Sequence, residues 1–76
     1  MRESTIRKSK KVGATIRKRR EALGLSQEDL AEGASVHRNY IGAVERGESN
    51  PSLVKLGKIA KALGLKTSEL LKEAGC

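Results

Sequence analysis

Leu25-Ser26-Gln27-Glu28-Asp29-Leu30-Ala31, followed by Val36-His37-Arg38-Asn39-Tyr40-Ile41-Gly42-Ala43-Val44 and closed by Arg46-Gly47-Glu48-Ser49-Asn50-Pro51, is the stretch that decides the fold. Leu30 and Ala31 fall on one face of a first short helix, and Ile41 and Val44, three residues apart, fall on one face of a second. A short turn between them lets the two apolar faces meet at a steep angle, which is a helix-turn-helix arrangement. Gln27, Arg38, Asn39 and Ala43 are left on the outward faces. Ser26, with Glu28 and Asp29 close behind, supplies a hydroxyl cap and first-turn acids, so the first of these helices starts at about Gln27.

Outward from this block the helical spacing continues. Val12, Ile16 and Leu23 recur at helical intervals ahead of Gly24, a helix-ending glycine, and predict a helix over about 11–23. Ser52 can cap a helix over about 53–63, whose stripe is Leu53, Leu56, Ile59, Ala60 and Leu63 and whose stop is Gly64. Its outward face carries Lys55, Lys58 and Lys61, for which a solvated face is the default reading. Thr67 and Ser68, an early acid at Glu69 and the pair Leu70-Leu71 predict a fifth helix over about 68–74. The predicted fold class is all-α: a compact five-helix bundle containing the helix-turn-helix, with no strand. Residues 1–10 carry no apolar periodicity and are expected to form a flexible basic arm, with the helix-turn-helix domain over 11–76.

Composition narrows the function. Seventy-six residues make one small domain with no room for a separate effector domain. The net charge of +7 is unevenly placed: residues 1–20 hold nine basic side chains against one acid, the rest seven against eight. A polyanion would therefore meet a basic segment attached to a neutral body, and such a segment raises association rate and non-specific affinity. The arm reads equally as a contact to DNA and as a solubilising tail. The one cysteine, Cys76, gives neither an intramolecular disulfide nor a metal cluster, and His37 has no thiol or carboxylate at ligand spacing. No cofactor or metal is expected. No apolar run approaches a membrane span or a secretion signal, which predicts a cytoplasmic protein without membrane contact. A nucleophile-base pair, a phosphate-binding glycine loop and an enclosed carboxylate pair are all missing, so an enzyme is not expected.

The ordered blocks Gly24-Leu25-Ser26-Gln27-Glu28-Asp29-Leu30-Ala31, Tyr40-Ile41, Glu45-Arg46-Gly47, Asn50-Pro51-Ser52-Leu53 and Lys58-Ile59-Ala60-Lys61-Ala62-Leu63-Gly64 resemble the Cro and phage-repressor (XRE-type) helix-turn-helix regulators over about residues 11–73. Small size and the Tyr40 to Ser52 region look especially like the controller proteins of restriction-modification systems. The resemblance implies a recognition helix from about His37 to Arg46 in the major groove of double-stranded DNA, with base contacts from His37, Arg38, Asn39 and Ala43. Arg suits a guanine edge and Asn an adenine edge, while Ala43 could meet a thymine methyl. It further implies phosphate contacts from Gln27, Tyr40, Arg46 and Asn50. Tyr40, the only aromatic residue, reads equally as a cover for the core. Arg20 and Glu45 resemble a buried ion pair of the family, preferred over DNA contact for Arg20 because buried charges must be paired.

Two positions depart from the family pattern. Ser35 stands where a left-handed glycine is usual, and His37 stands where a Ser or Thr often caps the recognition helix. Either Ser35 supplies the cap or the helix start is shifted by one residue.

A motif of this size reads few base pairs, which predicts a homodimer on a palindromic operator. Val54, Leu65, Leu70 and Leu71 exceed what so small a core can bury and are the expected interface. The leading reading is a dimeric transcriptional regulator. An antitoxin that binds a protein partner and regulates its own synthesis is the alternative, and a coactivator using the fold for protein contacts is a third. A neighbouring methyltransferase or nuclease gene, against a toxin gene, separates the first two.

Overall fold

Five helices follow one another along the chain: α1 (Arg2–Ala22), α2 (Gln27–Gly33), α3 (Arg38–Glu45), α4 (Leu53–Ala62) and α5 (Thr67–Glu73). The structure is a computed structural model that describes the backbone of residues 2–75 and the side chains of residues 9–75. Among the described residues there is no strand.

The core is built from one apolar stripe per helix. Val12 and Ile16 come from α1, Leu30 and Ala31 from α2, Ile41 and Val44 from α3, Leu56, Ile59 and Ala60 from α4, and Leu70 from α5. Ile16, Leu30, Ile41, Ile59, Leu63, Leu70 and Val44 are fully buried. At about 25 cal/mol per Å² of apolar area removed from water, burial of this kind is the main force holding five short helices together.

Capping fixes where the helices start. Ser26 Oγ accepts the Asp29 amide at 2.9 Å and Asp29 Oδ2 accepts the Ser26 amide at 2.9 Å, a reciprocal box that satisfies two otherwise free donors. These bonds from Ser26 hold the Asp29 carboxyl below its ordinary pKa. At α3 the cap is His37 itself: its Nδ1 accepts the Asn39 amide at 3.0 Å. Ser35 does not cap, and helix α3 begins at Arg38, one residue after the expected start at His37. Ser35 does take the left-handed backbone, φ 56°, that the pattern called for.

Several expectations are corrected. The first helix begins at Arg2 rather than near Lys11, so residues 2–10 continue α1 instead of forming a separate unstructured stretch. From Ser9 onward this helix packs through small residues: Ser9 is buried, and Gly13 is buried against the end of α3, where a Cβ would collide with the Val44 carbonyl oxygen. Neither residue carries a hydrophobic signal. Leu23 falls past the end of α1 and is 46% exposed, and Leu53 opens α4 beyond the reach of the core and is 74% exposed. Leu70 is fully buried in the monomer and so cannot form an interface. Helix α5 begins at Thr67, and the Glu69 carboxylate, not a hydroxyl, satisfies the Lys66 amide at 2.9 Å.

Candidate nucleic-acid interface

Helix α3 has two chemically opposed sides. Ile41 and Val44 hold it to the core, while His37, Arg38 and Asn39 at its start are exposed and Ala43 is half-buried. With Nδ1 occupied by the cap, His37 has only Nε2 to offer outward. Arg38 and Asn39, in the first turn, carry the hydrogen-bonding groups that can read a base edge. Arg38 Nη1 lies 3.5 Å from Glu28 Oε1 on α2, an exposed pair that solvent screens strongly.

Beneath this surface lies a buried polar network. Arg20 Nε and Nη2 donate to Glu45 Oε2 and Oε1 at 2.7 and 3.1 Å, and Nη1 donates to the Leu25 carbonyl at 2.8 Å. Gln27 Nε2 adds a bond to Glu45 Oε1 at 3.0 Å. The side chains of Arg20 and Glu45 are 11% and 3% exposed, so the pair is structural, joining α1 to the end of α3. The hydrogen bonds to Glu45 push the Arg20 pKa above its ordinary value despite the opposing effect of burial.

Gln27 thus has one Nε2 hydrogen engaged, and the second meets no acceptor among the described residues. Its side-chain oxygen approaches Gly42, where an added Cβ would stand 3.8 Å from Gln27 Oε1 and 3.1 Å from Arg46 Nη1. Gly42, which costs α3 about 1 kcal/mol of helix propensity relative to Ala, leaves room for the Arg46 guanidinium to cross the helix. Two depressions meet there and share Gln27 and Arg46. One, of about 190 Å³, is lined also by Arg38, Asn39 and Gly42. The other, of about 300 Å³, is lined also by Arg17, Arg20 and Glu45.

The remaining expected contacts are placed less centrally. Asn50 is exposed in the loop after α3, and Tyr40 is half-buried against the core with Lys55 Nζ 4.7 Å from its ring centre. Both readings of Tyr40 therefore keep a physical basis. Sequence reasoning passed over Arg17 and Gly42. The signal available for Arg17 was its position one turn before Arg20. Among the described residues no group of three potential metal ligands gathers, and no helix is long and apolar enough to cross a membrane.

Two helices joined by a turn at Ser35, with a polar face over an arginine-rich trough, define a helix-turn-helix protein of the DNA-binding class. The chain belongs to the helix-turn-helix family HTH_3, whose model matches residues 16–70. It is similar to Control protein C.SmaI of Serratia marcescens, 47% identical over 60 residues that cover 79% of this chain and 71% of that one. Control protein C.BamHI of Bacillus amyloliquefaciens is 49% identical over 47 residues, covering 62% of this chain and 58% of its own. The crystal structure of the restriction-modification controller protein C.AhdI from Aeromonas hydrophila superposes with a TM-score of 0.79 at 47% identity, covering 82% of this chain and 94% of that one. These relatives are regulators, and the chain is a transcriptional regulator of this type rather than an enzyme.

Proposed function

We propose that the protein is a sequence-specific regulator of the restriction-modification controller kind, acting in the cytoplasm as a homodimer on a palindromic operator. The observation that carries this reading is the exposure of Arg38 and Asn39 in the first turn of a helix whose opposite side is locked into the core. Such a helix can enter the major groove without unfolding anything. Arg38 and Asn39 then read guanine and adenine edges, His37 offers Nε2 and Ala43 a methyl, while Gln27, Tyr40, Arg46 and Asn50 contact backbone phosphates and set register. Basic residues at the start of α1 add non-specific affinity. The relatives named as control proteins support the controller role.

A single recognition helix covers one half-site, so the two-fold axis has to bring two copies about 34 Å apart. With Leu70 removed from consideration, the surface for that contact is Leu53 and Val54, 74% and 70% exposed, with the partly buried Leu65 and Leu71 as further apolar surface. Sites selected from a random duplex pool at near-physiological salt test the reading as a whole: a palindromic motif with two short half-sites is expected. Salt-sensitive binding without any enriched motif overturns it. Val54→Glu should sediment as a folded monomer that has lost most operator affinity, and persistence of the dimer excludes this surface.

A further inference from the structure

The depression between α1 and α3 is lined by three arginines, Arg17, Arg20 and Arg46, with Gln27 and Glu45. Glu45 is the sole acid of that lining, and its oxygens already accept three hydrogen bonds from Arg20 and Gln27. The floor is therefore an internally satisfied ion pair. The rim is cationic. Arg17 enters from α1 with its side chain 64% exposed, and Arg46 enters from the end of α3, 60% exposed, its guanidinium drawn over the Gly42 notch. Each has an acid neighbour outside the lining: Glu21 at 3.7 Å from Arg17 and Glu48 at 3.1 Å from Arg46. Exposed pairs of this kind contribute little and yield readily to a bidentate anion.

The same side of α1 borders the end of α3 two turns earlier. Lys10, seven residues before Arg17 and on the same helical face, packs against Gly47, where a Cβ would stand 2.9 Å from Lys10 Cα. The fold thus fixes the face of α1 that holds Arg17 beside Arg46 and beside the outward surface of α3. A guanidinium on each side of an open, polar depression, with the second Gln27 N–H between, is a receptor for a tetrahedral oxyanion.

We propose that Arg17 and Arg46 together hold one phosphate of the DNA backbone, with Gln27 between them, so that α1 takes part in binding alongside the helix-turn-helix. This rests on the DNA-binding reading above. It assigns Arg17 a positioning contact that is indifferent to base sequence, since phosphates carry none. It also explains why Gly42 occupies the middle of α3, because a side chain there would push Arg46 away from the shared anion.

The test is the salt dependence of binding to a ~20 bp random-sequence duplex and to a selected operator between ~50 and ~200 mM salt, for the wild type, Arg17→Ala, Arg46→Ala and the double variant. If the two arginines share one phosphate, the double variant lowers the slope of log K against log salt by about 0.9, where two separate phosphates would give about 1.8. Arg17→Ala should weaken both duplexes by the same factor, and Arg17→Lys should restore most of that affinity. An Arg17→Ala protein with wild-type slope and affinity overturns the proposal while leaving the DNA reading intact. A wild type that shows no salt-dependent binding overturns both. Proton-nitrogen spectra of the arginine Nε–H groups separate the sources of phosphate: Arg17 should respond to the duplex, and a response to inorganic phosphate alone overturns the DNA assignment. Arg17 is exposed, so unchanged circular dichroism is expected for its variants.

Discussion

Replacing Gly13 by Ala sets two effects of opposite sign against each other. Gly13 lies in the interior of α1, where Ala is favoured over Gly by about 1 kcal/mol from backbone entropy and helix propensity alone. A Cβ at this position, however, would lie 2.2 Å from the Val44 carbonyl oxygen and 2.8 Å from that of Glu45. Ordinary carbon-oxygen contact needs about 3.3 Å, so α1 and the last turn of α3 must part by roughly 1 Å. Both obstacles are backbone atoms in helices and cannot rotate aside. Overpacking of that kind costs about 3 kcal/mol at the upper end of its usual range, which leaves a net loss of about 2 kcal/mol, or about 8–16 °C in Tm for a chain of this size. Gly57 is the matched control: it too sits inside a helix, α4, but an added Cβ would meet only Thr67 Oγ1 at 3.4 Å, an ordinary contact. Gly57→Ala should therefore stabilise by about 0.5–1 kcal/mol. Urea denaturation followed by circular dichroism, with thermal melts of both variants, measures the two signs. A Gly13→Ala protein at least as stable as the wild type would refute the close approach of α1 to α3 and, with it, the placement of Arg17 beside Arg46.

Three further outcomes are expected. Ser35→Gly should raise stability by about 0.5–1 kcal/mol, because relief at φ 56° outweighs the added freedom of the unfolded chain, and Ser35→Ala should give no such gain in the same melts. Glu45→Ala leaves Arg20 buried without its partner and should cost about 3–5 kcal/mol, enough to unfold much of the population at 37 °C; a loss below about 1 kcal/mol by urea titration would remove the structural role of the pair. Asp29, whose carboxyl pKa is depressed below 3.8 by its bonds with Ser26, contributes stability that is complete above its unfolded-state value and is lost as pH falls through the lower folded value. An NMR titration should therefore show its midpoint below 3.8 in the wild type and moved back upward in Ser26→Ala.

The sequence was most readable where helices are held by large apolar side chains and stopped by glycine. Ile41, Val44, Leu56 and Ile59 recur at helical spacing because each fills the core, and Gly24 and Gly64 end their helices at φ 71° and 75° as their positions suggested. Arg20 and Glu45, named from the resemblance, lie 2.7 Å apart, and Ser35, at the usual glycine position, takes φ 56°. What escaped was contact made by small or polar atoms. The N-terminal turns of α1 carry almost no apolar residue, and Ser9 and Gly13 pack by being small, which hydropathy does not register. The His37 cap escaped for a related reason: imidazole Nδ1 can accept a backbone amide as a hydroxyl does, but residue type alone does not reveal which ring nitrogen faces the helix. Leu70 and Val54 looked alike in sequence, and only packing separates the buried one from the exposed one.

The same contrast bears on how such a small domain can be both stable and charged. Among the described residues, buried charge is confined to Arg20 and Glu45, where each polar atom finds a partner, and no buried side-chain nitrogen or oxygen lacks one. Among the described residues, the exposed arginines Arg17, Arg38 and Arg46 each rest beside a glutamate at 3.1 to 3.7 Å, in solvent-screened pairs that add little to folding. On the proposed DNA-binding reading, exchange of those carboxylates for phosphates or a guanine edge would leave the core untouched. On the same reading, a loosely held acid beside each arginine would also reduce the positive charge offered to an arbitrary duplex, so that full engagement would favour the site where the geometry of all three is met at once. On this view Glu28→Gln should tighten binding to random DNA more than to the selected operator, narrowing the ratio between them. Equal tightening on both would mean that Glu28 only lowers the general attraction for polyanions and takes no part in discrimination.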